Sequence, residues 1–109
     1  MADPILEQSV LPVPKVALRA LTELTGQVEL APAIVMTLND AIKYRLESIK
    51  AEIRLYEQLY GVTFEQFEAH GRSGDLQGRS SYQTEQDYFD WDSLITRQQK
   101  LNDILQWLT

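Results

Sequence analysis

LNDAIKYRLESIKAEIRLYEQLYGVTFEQF, residues 38–67, decides the fold. Leu38, Ile42, Leu46, Ile49, Ile53, Tyr56 and Tyr60 recur every three or four residues, which draws one continuous apolar stripe along a helix. From Ile42 onward the steps alternate between four and three, the spacing of a coiled-coil seam. The stripe predicts a helix over residues 37–60, about 35 Å long at ~1.5 Å per residue. Thr37, with Asp40 three residues on, forms a capping box for its start; Pro32, acceptable in a first helical turn, offers an earlier one.

Gly61 ends the stripe, and a second helix signal follows at once. The Thr63 hydroxyl can accept from the backbone of Gln66, whose side chain can reach back to the Thr63 amide. Val62 before the cap and Phe67 at the fourth helical position make a hydrophobic staple. A short helix over residues 64–70 is expected, set at a fixed angle to the long one. Its last residue, His70, is the only histidine and suits a helix C-terminus, where positive charge is favoured.

Working outward, Val16, Ala17, Ala20, Leu21 and Leu24 recur at helical spacing and Gly26 stands where a helix stop belongs, which predicts a helix over residues 15–25. Residues 1–14 hold three of the four prolines and read as an extended arm, with Ser9 to Val13 as a candidate edge strand. Residues 71–82, rich in glycine and serine, read as a loop. Thr84 with Asp87 gives another capping box, and Trp91, Leu94, Leu101, Leu105 and Leu108 continue a seam that only Gln98 interrupts. A last helix over residues 84–108 is expected, its first turns loaded with Glu85, Asp87, Asp90 and Asp92 to complement the helix dipole. The fold class is therefore all-α: three to four helices in one domain over residues 15–109, behind the N-terminal arm.

Composition narrows function. A chain of 109 residues makes one modest core. The net charge of −6 repels nucleic acid and attracts a basic protein. There is no cysteine, so disulfides and thiolate metal sites are excluded. The start lacks a basic segment followed by an apolar core, and no apolar stretch approaches the ~20 residues a membrane span needs, so a cytoplasmic protein is expected.

No constellation points to catalysis, a cofactor or a metal. His70 has no carboxylate three or four residues away, and no Glu-x-x-His pair exists. Gly71-Arg72-Ser73-Gly74 lacks the lysine of a phosphate-binding loop. Lys43, Lys50 and Arg54 share a helix face, but Glu47 and Glu57 sit among them, a pattern of solvated ion pairs.

Binding remains. Tyr56, Tyr60, Phe64, Phe67, Tyr82, Tyr88, Phe89, Trp91 and Trp107 crowd into the second half of the chain, more aromatic surface than one intramolecular pairing hides. Large aromatics outside a core are the side chains enriched as interface anchors. Tyr88, Phe89, Trp91 and Trp107, with Asp87, Asp90 and Asp92, form the candidate partner-binding surface. Ile42, Leu46, Ile49, Ile53, Tyr56 and Tyr60 form the candidate seam of a homo-oligomer, a dimer or larger bundle.

Two resemblances bear on the partner. Leu18-Arg-Ala-Leu21-Thr-Glu-Leu24-Thr-Gly26, with Asp40-Ala-Ile-Lys-Tyr-Arg-Leu46, resembles the two helices of ribbon-helix-helix regulators, with residues 9–13 in the place of the ribbon. That resemblance implies DNA binding through the N-terminal half, although the ribbon segment carries no basic side chain to read bases. The run from Arg54 through Tyr60-Gly61-Val62-Thr63-Phe64 to Phe67-Glu68, then Asp87-Tyr-Phe-Asp-Trp91, resembles small antitoxin-type proteins encoded beside a toxin in bacteria and archaea. It implies a protein that neutralises a toxin, commonly a ribonuclease, by covering its basic active surface.

Overall fold

The structure is a computed structural model that describes residues 12–71 and 81–108, with side chains described as far as Ala69 in the first stretch. Among the described residues four α-helices follow in chain order: α1 (Lys15–Thr25), α2 (Leu30–Tyr60), α3 (Phe64–Gln66), which runs on into a π turn (Phe67–Gly71), and α4 (Ser81–Leu108). No strand occurs among the described residues, so the fold is all-α as expected. The expected edge strand lies largely outside them; Pro12 to Pro14 have no regular structure. The His70 side chain, expected to cap its helix, also lies outside them.

The chain divides into two compact units, Met1–Leu38 and Asn39–Thr109, with the boundary inside the long helix. In the first unit, α1 has the limits that the sequence predicts. Its opening amides at Ala17 and Leu18 donate to the Pro14 carbonyl, and Gly26 closes it in the left-handed region at φ 72°. The start of α2 is a correction: it begins at Leu30, seven residues before the predicted cap. Pro32 sits in the first turn, where its missing N–H leaves no bond unmade. Thr37 is an interior residue, and its hydroxyl donates to the Ala33 carbonyl one turn back at 2.8 Å.

The second unit is built on the predicted stripe. Ile42, Leu46, Ile49, Ile53 and Tyr60 of α2 are buried with Phe64 and Phe67 of the corner and Trp91 and Leu101 of α4. Tyr60 meets Asp87, Ile53 shares a groove with Ile95 and Gln98, and Ile49 lies beside Arg97 and Leu101. Residue numbers fall along one helix as they rise along the other, so α2 and α4 run antiparallel. The seam assigned to a homo-oligomer is thereby filled from within the chain, with Tyr56 half-buried against Trp91.

The corner follows its sequence signal closely. Gly61 takes φ 70°, and its amide donates to the Glu57 carbonyl at 2.7 Å. The capping box is complete: the Gln66 amide donates to Thr63 Oγ1 at 3.3 Å and the Thr63 amide donates to Gln66 Oε1 at 3.0 Å. Val62 packs against the cluster in which Phe67 is fully buried. The result is a short helix whose two phenylalanines are delivered to one side chain, Trp91.

Trp91 has no exposed surface and touches four rings. Tyr56 and Tyr60 stack near-parallel to it at 5.5 and 6.1 Å, Phe64 meets it edge-on at 5.4 Å, and Phe67 lies tilted at 5.2 Å. Its indole N–H has no hydrogen-bond partner among the described residues, a cost of ~1–3 kcal/mol that the buried ring area must exceed. Truncation to alanine removes that ring and leaves a cavity. W91A is therefore expected to destabilise the chain by about 3–5 kcal/mol in urea unfolding, against less than ~0.5 kcal/mol for the exposed W107A. Similar losses for the two variants would contradict this packing.

Candidate functional site

Helix α4 has two working faces. Its inner face runs Thr84, Asp87, Trp91, Leu94, Gln98, Leu101, Leu105 and Leu108, in alternating steps of three and four. The seam therefore extends two positions farther toward the N-terminus than its apolar residues reveal. Thr84 is fully buried and Asp87 nearly so.

That placement corrects the reading of Asp87 as an acid facing a partner. Because α4 begins at Ser81, Thr84 is an interior residue and not a cap, and Asp87 points inward on the second turn. The Tyr60 hydroxyl donates a hydrogen bond to Asp87 Oδ2, and the Gln83 side-chain amide donates to Oδ1 at 3.0 Å. A buried carboxylate needs such donors, since water can no longer solvate it. Trp91 is corrected for a simpler reason: its ring is enclosed and has no surface to offer. Tyr88 is half-buried, stacked on Phe64 at 5.7 Å, with its hydroxyl donating to Glu68 Oε2 at 2.9 Å. It ties α4 to the π turn.

The outer face keeps the rest. Phe89 is 54% exposed and Trp107 is 72% exposed, in keeping with their positions off the seam. Tyr82, which the sequence places in a loop, stands in the first turn of α4 at 78% exposure. Seven residues separate Tyr82 from Phe89 and eighteen separate Phe89 from Trp107. At ~3.6 residues per turn those intervals are about two and five turns, so the three rings lie along one line of the helix. The spacing is present in the sequence, and Tyr82 joins the line because the helix already includes Ser81.

Charge divides along this line. From Ser81 to Thr96 the helix carries Glu85, Asp87, Asp90 and Asp92 and no lysine or arginine; Arg97, Lys100 and Asp103 come later. Asp90 is exposed and accepts from the Gln86 amide at 3.3 Å, and Asp92 is half-buried. Phe89 thus projects from an acidic field. Trp107 does not.

A groove of about 420 Å³ lies where α2, the corner and α4 meet. Ile53, Phe64 and Ile95 form its apolar part, and Lys50, Arg54, Glu57 and Glu65 line it with both signs of charge. Lys50 pairs with Glu47 at 3.6 Å, the kind of within-helix contact that the mixed charge pattern predicts. Among the described residues no three His, Cys, Asp or Glu side chains gather as metal ligands would, and no helix is long and apolar enough to cross a membrane. No family model, curated protein or solved structure matches the chain.

The Tyr60–Asp87 contact can be weighed directly. Y60F leaves one oxygen of a buried carboxylate without its tyrosine donor and is expected to cost about 1–3 kcal/mol. In a double-mutant cycle with D87N, urea unfolding should show a coupling of at least ~0.5 kcal/mol. Additive effects of the two substitutions would remove the contact from the account of the core.

Proposed function

We propose that this chain is a non-enzymatic binding protein of the antitoxin type, which lays the outer face of α4 on a basic protein partner in the cytoplasm. The observation that carries the reading is the line of Tyr82, Phe89 and Trp107, three large rings held in water along one helix. Keeping such rings exposed forgoes favourable burial, and aromatic side chains on a rigid element are the usual anchors of an interface.

Asp90, with Asp92 and Glu85 nearby, supplies the complementary charge. Carboxylates around an aromatic anchor attract lysine- and arginine-rich surfaces, speed encounter and repel acidic competitors. A ribonuclease-type toxin, whose active surface must be basic to hold RNA, fits that description. The resemblance of the 54–68 and 87–91 segments to antitoxin-type proteins points the same way. In this reading Asp87 and Trp91 act from within: they hold α4 straight against α2 so that its other face is presented ready-made.

Co-expression of the tagged chain with the product of the neighbouring gene tests the proposal. A basic protein should co-purify, and its toxicity to the host should be suppressed. F89S/W107S should weaken the complex ~100-fold while leaving urea stability within about 0.5 kcal/mol. D90N should lower the association rate several-fold at low salt and much less at high salt. A complex indifferent to F89S/W107S would overturn the assignment of this face.

A further inference from the structure

The N-terminal unit poses a separate problem. Helix α1 has eleven residues, not one of them buried. Isolated helices below ~12–15 residues are marginal in water, and among the described residues α1 gains only half-burial along one side, at Ala17, Leu18, Leu21, Thr22 and Thr25. Its stripe Val16, Ala20 and Leu24, one residue every four, lies open, with Val16 and Leu24 each 76% exposed. Val13, Val28, Leu30, Ile34 and Leu38 add to the uncovered apolar surface, and Val28 is 94% exposed.

Chains this short are stabilised by disulfides, by metals or by association. The unit has no cysteine and no histidine, which leaves association. Charge selects the associate. Residues 12–38 carry Lys15, Arg19, Glu23 and Glu29, two of each sign, and so favour neither an acidic nor a basic partner. Along α1 the order is positive to negative, from Lys15 and Arg19 to Glu23. Two copies of α1 laid antiparallel therefore set the basic end of each against the acidic end of the other. The same operation places Val16 opposite Leu24 and Ala20 opposite its own counterpart, where a small side chain permits close approach.

We propose that this open face is the seat of a second copy of the chain, docked antiparallel along α1. On α1 itself Val16 and Leu24 expose about one and a half whole aliphatic side chains, and with Val13, Val28, Leu30, Ile34 and Leu38 the unit exposes roughly four, about 600 Å² at most, below the ~800 Å² per partner of a standard interface. The surface is distinct from the outer face of α4, and its occupant does not depend on the function proposed for that face.

Sedimentation equilibrium on the full chain at ~100 µM tests this, since dimers form by mass action. The expected mass is twice 12.5 kDa. V16E/L24E buries like charges in the pairing and should raise the dimer Kd at least ~100-fold, with helicity and tryptophan emission retained. K15E should raise Kd roughly fivefold, and K15E/E23K should restore it, because the complementary order of charge is then reversed but kept. F89S/W107S should leave the dimer intact. A wild-type monomer at this concentration overturns the proposal, as does a dimer that V16E/L24E leaves unchanged. If V16E/L24E disturbs the fold, the charge pair decides: failure of E23K to rescue K15E also overturns it.

Discussion

The second unit depends on one indole. Trp91 touches both the end of α2, through Tyr56 and Tyr60, and the corner, through Phe64 and Phe67. Take it away and α2 meets α4 through the Tyr60–Asp87 hydrogen bond and aliphatic side chains. The indole needs the corner at its observed angle, and that angle is held by Gly61 in the left-handed region and by the Thr63–Gln66 capping box. Local backbone chemistry at residues 61–66 thus sets the position of a ring twenty-five residues later in the chain.

The polar contact beside it acts on register. Tyr60 and Asp87 are buried next to Trp91, and Gln83 satisfies the second carboxylate oxygen. Slide α4 by seven residues and Asp87 faces isoleucine, at the cost of a buried carboxylate oxygen that has lost its tyrosine donor. Aliphatic packing gives this pair of helices affinity; the aspartate gives it one alignment. That division resembles the polar seam residue of a coiled coil, which fixes register and gives up some stability in exchange.

Three sequence signals of the same form were read as capping boxes, and only one is real. Thr63-x-x-Gln66 caps a helix because Gly61 and Val62 have already broken the chain's helical path. Thr37-x-x-Asp40 and Thr84-x-x-Asp87 lie within helices that continue straight through them. A spacing of three is also a seam spacing, so a threonine and an acid three apart suit a cap and an inner face equally well. What decides is what precedes them: a left-handed glycine in one case, Pro32 in a first turn and Ser81-Tyr82 in the others. The stripes at 42–60 and 91–108 and the stop at Gly26 were legible because apolar periodicity is a local property. The burial of Asp87 was not, since it depends on a tyrosine twenty-seven residues away.

The same limit governs the candidate site. Residue type alone nominated Tyr88, Phe89, Trp91 and Trp107 together; position on the helix separates them. Trp91 shares the seam with leucines and is consumed by the core, and Tyr88 beside it is half spent. Phe89 and Trp107 sit on the opposite side, in line with Tyr82. A helix with one apolar face and one charged face has done its work once it packs. In α4 both faces carry rings, and in α1 an apolar stripe lies open beside a half-buried one. The two surfaces differ in electrostatics: the first is acidic around Phe89, the second balanced and polarised end to end. An acidic aromatic face selects for a partner unlike itself, whereas a balanced face with opposed ends can match its own copy. The proposed self-association and the proposed capture of a basic protein therefore call on separate residues, and either is expected to be lost by substitution without the other.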